Sequence, residues 1–188
     1  MKNEPLSQSE QKRIVGRYAI DDLVNSGMIH SGMKLGLGTG STAMHAVKRI
    51  AEYIGEGKLT GIRAVATSFQ TVIACEDLGI PVFSLNAREI GGKLDLTIDG
   101  ADEVSPAKHL IKGGGAALLL EKIVAYNSAK YVIITDESKT VDGLGILFPL
   151  PVEIIAEARV SASAAIAALG AETVVRVGSG KDGPVITD

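Results

Sequence analysis

The chain has 188 residues, of which 46% are hydrophobic, 22% charged and 4% aromatic, with 22 glycines, one cysteine and a formal net charge of −3. That length suits one ordinary domain, or one domain and part of another, and the apolar share with moderate charge excludes a globally disordered chain. The acidic balance argues against a nucleic-acid binder that neutralises phosphates, the glycines lack the period of three of collagen, and the apolar runs are far too short to span a bilayer.

No apolar segment follows Met1-Lys2-Asn3-Glu4-Pro5, so no secretory signal is expected. Ser7 and Glu10 have capping-box spacing with Leu6 as a staple, which predicts a helix from there to about Val24, stopped at Gly27. Residues 33–37 then read as a strand, 41–54 as a helix, 62–67 as a strand and 70–78 as a helix ended by Gly79. Cys75, among apolar neighbours on that helix, has no partner for an internal disulfide, so the chain is expected in a reducing, cytoplasmic compartment. Strands are expected at 82–85, 94–99 and 131–136, with a helix at 116–128. Strands alternating with helices predict an α/β fold, an open, mostly parallel sheet with helices on both faces, Rossmann-like, over residues 1–147. Pro149 and Pro151 then break regular structure. Residues 148–188 read as a smaller, partial α+β second domain that stops part-way: strand 152–155, helix 158–169 stopped by Gly170, strand 173–177, a turn at 179–183 and a strand from 184.

Four segments carry chemistry. Gly36-Leu37-Gly38-Thr39-Gly40-Ser41-Thr42 follows a strand and opens a helix, where glycine amides, a helix N-terminus and the Thr39, Ser41 and Thr42 hydroxyls outline a phosphate cradle. It lacks the Gly-Lys-Ser/Thr of a Walker loop. It is also not G-x-G-x-x-G, and no acid ends the second strand, so NAD is discounted. Asp99-Gly100-Ala101-Asp102-Glu103 puts three acids in a tight turn at a strand end; with no histidine nearby except His109, no metal is expected. Lys112-Gly113-Gly114-Gly115 leads into a helix on which Glu121 shares a face with Gly114, Ala117, Leu118, Val124, Ala125 and Ser128. Leu119, Ile123 and Tyr126 lie opposite, so this helix is expected to be buried all round. A carboxylate in small apolar surroundings has its pKa raised by desolvation, as a general base near neutral pH requires; a structural ion pair with Lys112 or another lysine is the alternative. Asp136-Glu137-Ser138-Lys139 alone is a charged loop after a strand. Three of these segments follow carboxyl ends of expected parallel strands, where open α/β sheets bind ligands. A small phosphorylated substrate with acid/base chemistry beside it accounts for the set.

The segments Gly38-Thr39-Gly40-Ser41-Thr42, Thr67-Ser68-Phe69-Gln70-Thr71, Asp99-Gly100-Ala101-Asp102-Glu103, Lys112-Gly113-Gly114-Gly115-Ala116-Ala117, Glu121-Lys122-Ile123 and Phe148-Pro149-Leu150-Pro151-Val152-Glu153 together resemble type A ribose-5-phosphate isomerase. The resemblance implies interconversion of ribose 5-phosphate and ribulose 5-phosphate without metal or organic cofactor, in a homodimer or homotetramer. It implies Glu121 as the acid/base that moves a proton between C1 and C2 through an enediolate. Asp99 and Asp102 would engage sugar hydroxyls, Asp99 helping ring opening, with Gly100 and Ala101 between them in the substrate loop. Lys112 and the amides of Gly113, Gly114 and Gly115 would stabilise the oxyanion. Thr39, Gly40, Ser41, Thr42 and Lys12 would hold the phosphate, and Lys139 matches a functional lysine of the family. Leu119-Leu120 depart from a polar pair usual in that family. The alternatives are a non-catalytic sugar-phosphate sensor, a sugar-phosphate deaminase and an acyl-CoA transferase on a similar scaffold.

Overall fold

Helix α1, Gln8–Asn25, begins where its capping box places it. Ser7 Oγ accepts from the Glu10 amide at 3.3 Å, and the Glu10 carboxylate accepts the Ser7 N–H at 3.0 Å. The structure is a computed structural model that describes residues 6–180 and 182–187. Residues 1–5 and Lys181, on which the expectations for a leader and for the 179–183 turn partly rest, lie outside the described residues.

Strands β1 (Lys34–Leu37), β2 (Arg63–Ala66), β3 (Leu96–Asp99) and β6 (Tyr131–Ile133) form one parallel sheet in the order β2-β1-β3-β6. Between β3 and β6 lies a short antiparallel hairpin of β4 (Glu103–Val104) and β5 (Leu110–Ile111). Side chains alternate across the sheet. Leu35, Leu37, Ala64, Leu96 and Ile98 face one core, with Ile20 and Leu23 of α1 and Ala46, Val47 and Ile50 of α2 (Ser41–Gly55). Cys75 of α3 (Phe69–Asp77) is buried in the same core, where desolvation pushes its thiol up to about 11. Val65 packs on the opposite face with Ile90, Leu94 and Val124 of α4 (Leu118–Tyr126). Helices therefore cover both faces, as the alternating pattern predicts.

Two glycines set close approaches. A Cβ on Gly16 would lie 2.7 Å from His45 Cβ, so α1 and α2 touch almost backbone to backbone. On Gly36 it would lie 1.8 Å from Thr97 Oγ1 and 2.7 Å from Val124 Cγ1, so α4 sits directly against β1 and β3. Polar pairs join α1 to α2 at the rim: Arg17 and Arg49 both bind Glu52, and Arg49 reaches Asp21 at 2.6 Å.

Several expectations need correction. The 82–85 strand reduces to one bridge, Val82 to Ala64, because Pro81 has no N–H and Ser84 starts a turn. The strands expected at 152–155, 173–177 and 184–187 do not form. A single Val177–Pro184 bridge is all that pairs there among the described residues, and Ile155, Val174 and Ile186 stay exposed. A β pattern without a neighbouring ladder leaves its amides nothing to pair with. The helix between them, α5 (Arg159–Ala167), is as expected, with Gly170 in the left-handed region at φ 85°. Helix α4 is not buried all round: Glu121 and Val124 are inside, but Leu119, Leu120, Ile123 and Tyr126 are exposed, because only one face meets the sheet. No described helix is long and apolar enough to cross a membrane. We propose a domain boundary at residues 147/148, supported by the core: Val141 is the last buried hydrophobic residue among those described.

Candidate active site

Strands β1 and β3 are sheet neighbours, but the chain leaves β1 toward β2 on one side and β3 toward β6 on the other. Their carboxyl ends therefore diverge into a crevice. A cleft of about 160 Å³ occupies it, a size for a small metabolite rather than a dinucleotide. Lys12, Thr39, Gly40, Ser41, Thr42, Gly100, Ala101, Asp102, Lys112, Gly113, Gly115, Glu121 and Lys139 all line it. Of the expected residues, Asp99 and Gly114 do not; Ala43, Ile134 and Thr135 are additions.

One end is built for an anion. Gly40, at φ 100° and ψ 170°, is the N-cap of α2, and no side chain caps it. Its first turn faces the cleft with the positive end of the helix dipole, and Lys12 and Lys139 flank it. Lys139 is placed by Asp136, which is buried and caps the 3₁₀ turn Glu137–Lys139 through the Ser138 amide at 3.1 Å. Burial alone would raise the Asp136 carboxyl, but the Ser138 hydrogen bonds hold it below the usual range. The Thr39 hydroxyl, expected as a donor to phosphate, is instead turned inward, to Thr67 Oγ1 at 2.8 Å and Ser68 Oγ at 2.7 Å. Thr71 Oγ1 donates to Gly38 O at 3.0 Å, and Ser68 Oγ caps α3. The Thr67-Ser68-Phe69-Gln70-Thr71 segment thus stiffens the Gly38–Gly40 loop from behind. Thr71→Val leaves the Gly38 carbonyl unsatisfied in a buried site and is expected to lower stability by about 1–3 kcal/mol in a denaturant titration; an unchanged midpoint would rule this bracing out.

The other end holds a buried carboxylate beside a lysine. Glu121 is 5% exposed, and its Oε2 has no aligned hydrogen bond. The Lys112 ammonium lies 3.1 Å from that oxygen as an ion pair, donates to Gly100 O at 2.6 Å, and sits 3.0 Å from Asp99 Oδ2. Burial, then the Asp99 charge, push the Glu121 carboxyl up to about 7 against the opposing pull of Lys112. Asp99 is fully buried behind the cleft. Its Oδ1 accepts from Gly100 N at 2.7 Å and Thr39 N at 3.3 Å, packed where a Cβ on Gly38 would lie 2.2 Å away. Asp102 Oδ2 accepts the Gly114 N–H at 2.8 Å, which ties the glycine loop to the acidic turn.

The sequence reading missed Tyr131, whose hydroxyl reaches Asp99 Oδ2 at 3.4 Å. Burial and the charges of Asp99 and Glu121 push its phenol up, so it stays a neutral donor. A tyrosine opening a strand has no signal beyond β-propensity. Among the described residues, no group of three His, Cys, Asp or Glu could hold a metal ion.

The sequence model of the family described as ribose 5-phosphate isomerase A (phosphoriboisomerase A) matches residues 63–188. Ribose-5-phosphate isomerase A of Treponema denticola is 57% identical over 183 residues, covering 97% of this chain and 77% of the relative. The chain belongs to the ribose-5-phosphate isomerase A family. The Treponema pallidum member is 53% identical over 186 residues, 99% of this chain and 73% of its own length. A solved ribose 5-phosphate isomerase A from Methanocaldococcus jannaschii superposes with TM-score 0.87 at 38% identity, covering 97% of this chain and 76% of that one. Another D-ribose-5-phosphate isomerase, solved in complex with phospho-erythronic acid, gives TM-score 0.89 at 37% identity, with the same coverage. The parallel sheet and its crevice are thus the fold of the ribose-5-phosphate isomerase A family.

Proposed function

We propose that this chain interconverts ribose 5-phosphate and ribulose 5-phosphate, with Glu121 as the acid/base. One observation carries the reading: a buried carboxylate, ion-paired to a lysine at 3.1 Å, lines the cleft together with an anion-binding helix terminus. The phosphate sits at Gly40–Thr42 with Lys12 and Lys139, so the far end of an open-chain sugar meets Glu121. The carboxylate takes the proton on C2, and the C–H electrons form the C1–C2 double bond. The carbonyl π electrons move onto O1, where Lys112 and the Gly113 and Gly115 amides stabilise the charge, the Gly114 amide being committed to Asp102. Protonated Glu121 returns its proton to C1, and the O2 proton passes to O1, leaving the ketose. Asp102 engages sugar hydroxyls from the cleft wall. Asp99, assigned to ring opening by the family resemblance, contributes in this geometry by holding Lys112.

The cleft's wall needs no organic cofactor for these steps. A homodimer or homotetramer and a cytoplasmic location belong to the same proposal, the former checked by light scattering. A sensor domain has no use for a carboxylate desolvated beside a cation, which disfavours the non-catalytic alternative. A panel of ribose 5-phosphate, glucosamine 6-phosphate and an acyl-CoA tests the reading: the first alone is expected to react. The base form of Glu121 is required, so kcat/KM is expected to fall as pH drops through about 7. Turnover that is flat from pH 5 to 8 would remove Glu121 from this role.

A further inference from the structure

Glu103 is fully buried on β4, immediately after Asp102. Among the described residues no lysine, arginine or histidine pairs with it. Its two oxygens instead accept three backbone amides from one distant segment: Gly145 N at 2.6 Å, Leu147 N at 2.5 Å and Phe148 N at 2.7 Å. Burial of this acid is costly, but these amides more than offset it and hold the carboxyl below its ordinary range. An ionised group so placed fixes the segment far more firmly than neutral contacts would.

What the segment does is set by its next residues. A Cβ on Gly114 would lie 2.9 Å from Phe148 Cζ, and one on Gly113 would lie 2.9 Å from Pro151 Cβ. The Phe148–Pro151 stretch therefore lies flush against the glycine loop. Asp102 holds the Gly114 amide from another direction, and Arg176 binds the Gly114 carbonyl at 2.7 Å. Gly113 is at φ 105°, a conformation open to glycine, so the loop has no side chain to wedge it in place. It depends on its neighbours for rigidity.

We propose that Glu103 is a positioning residue, which acts through the 145–151 strap to hold the glycine loop in place, and with it the Gly113 and Gly115 amides for the developing oxyanion. This rests on the isomerase reading above. Consecutive acids divide the work: Asp102 holds the loop directly, and Glu103 holds what backs it. Misplacing such donors by an ångström costs up to about 100-fold in rate without weakening phosphate capture.

The test compares Glu103→Gln and Phe148→Leu with the parent enzyme, each assayed well below its own melting temperature. Two probes are titrated as well: phospho-erythronic acid, whose carboxylate mimics the enediolate oxygens, and inorganic phosphate, which reports only the anion end. Both variants are expected to lose about 10–100-fold in kcat with KM within about twofold. Phospho-erythronic acid binding is expected to weaken about tenfold and inorganic phosphate binding to stay within about twofold. Equal weakening of both probes, or kcat within twofold of the parent, overturns the proposal in favour of a purely structural Glu103. If Glu103→Gln does not fold, Phe148→Leu, which leaves the carboxylate and its amides intact, decides by the same split. Failure of the isomerase reading looks different: the parent itself would not turn over ribose 5-phosphate, and the two-probe split would still judge the strap.

Discussion

Replacing Glu121 with glutamine is expected to lower kcat by about 10²–10⁴-fold while ribose 5-phosphate binding changes less than about threefold. Glutamine keeps the volume of the side chain and its place on α4, against Val124 and the sheet. It cannot take the C2 proton. The anion end, more than one loop away on α2, is untouched, and Lys112 keeps its bonds to Gly100 O and Asp99. The same substitution is expected to raise the melting temperature at pH 8. The sign follows from the shift: burial and Asp99 push the carboxyl up to about 7 in the folded chain from its ordinary value near 4.5, so the folded state binds more protons between those values. Its ionised form therefore destabilises the fold progressively as pH rises from about 4.5 to 7, and the full cost is present above 7. Glutamine removes that cost, so the gain should be present at pH 8 and absent at pH 4. A base kept at the expense of stability is what an active site requires. Thermal melts at both pH values, with single-turnover kinetics, check the pair of effects. A variant that loses binding and chemistry together would make Glu121 a binding group instead.

Much of this arrangement was legible because it is local. Ser7 with Glu10 announces the start of α1, and Gly40 with Ser41 announces the start of α2. The alternation of strands with helices predicts the sheet and places the chemistry at its carboxyl edge. Glu121 could be suspected from its own helical face. The expectation that α4 is buried all round failed because Leu119, Leu120, Ile123 and Tyr126 carry an apolar face whose covering, or lack of it, is not a property of the helix. The strands expected after Pro151 failed for a related reason: β-propensity describes a residue's fit to a ladder, and the ladder is a tertiary object. The hairpin β4–β5 escaped because two-residue strands leave no periodicity to read. Glu103 looked like one more acid in a turn, since its partners lie 42 to 45 residues away. The composition of its loop points the Thr39 hydroxyl at phosphate, whereas the hydroxyls that claim it, on Thr67 and Ser68, lie on the next strand end.

Lys112→Met carries the other large effect, and it separates charge from hydrogen bonding. The ammonium is the cation shared by Asp99 and Glu121, and in the proposed mechanism it stabilises the charge on O1. Loss of one preorganised donor to an oxyanion costs about 10²–10³ in kcat, and methionine fills the same space without donating. Lys112 also pulls the Glu121 carboxyl down, against burial and Asp99. Its removal should therefore move the acid limb of the pH–rate profile to higher pH. Asp99 would be left buried without its cation, a loss of about 3–5 kcal/mol in comparable buried pairs, so the variant should melt lower and be assayed cold. Lys112→Arg supplies the control. Its positive charge keeps the acid limb in place, but a planar fork cannot reproduce a compact ammonium bonded to Gly100 O and close to two carboxylates. Reduced kcat with an unmoved limb is expected for arginine, and reduced kcat with a raised limb for methionine. If both variants leave the limb where it is, Lys112 does not tune the base; if methionine keeps kcat within about threefold, the oxyanion is held by the glycine-loop amides alone.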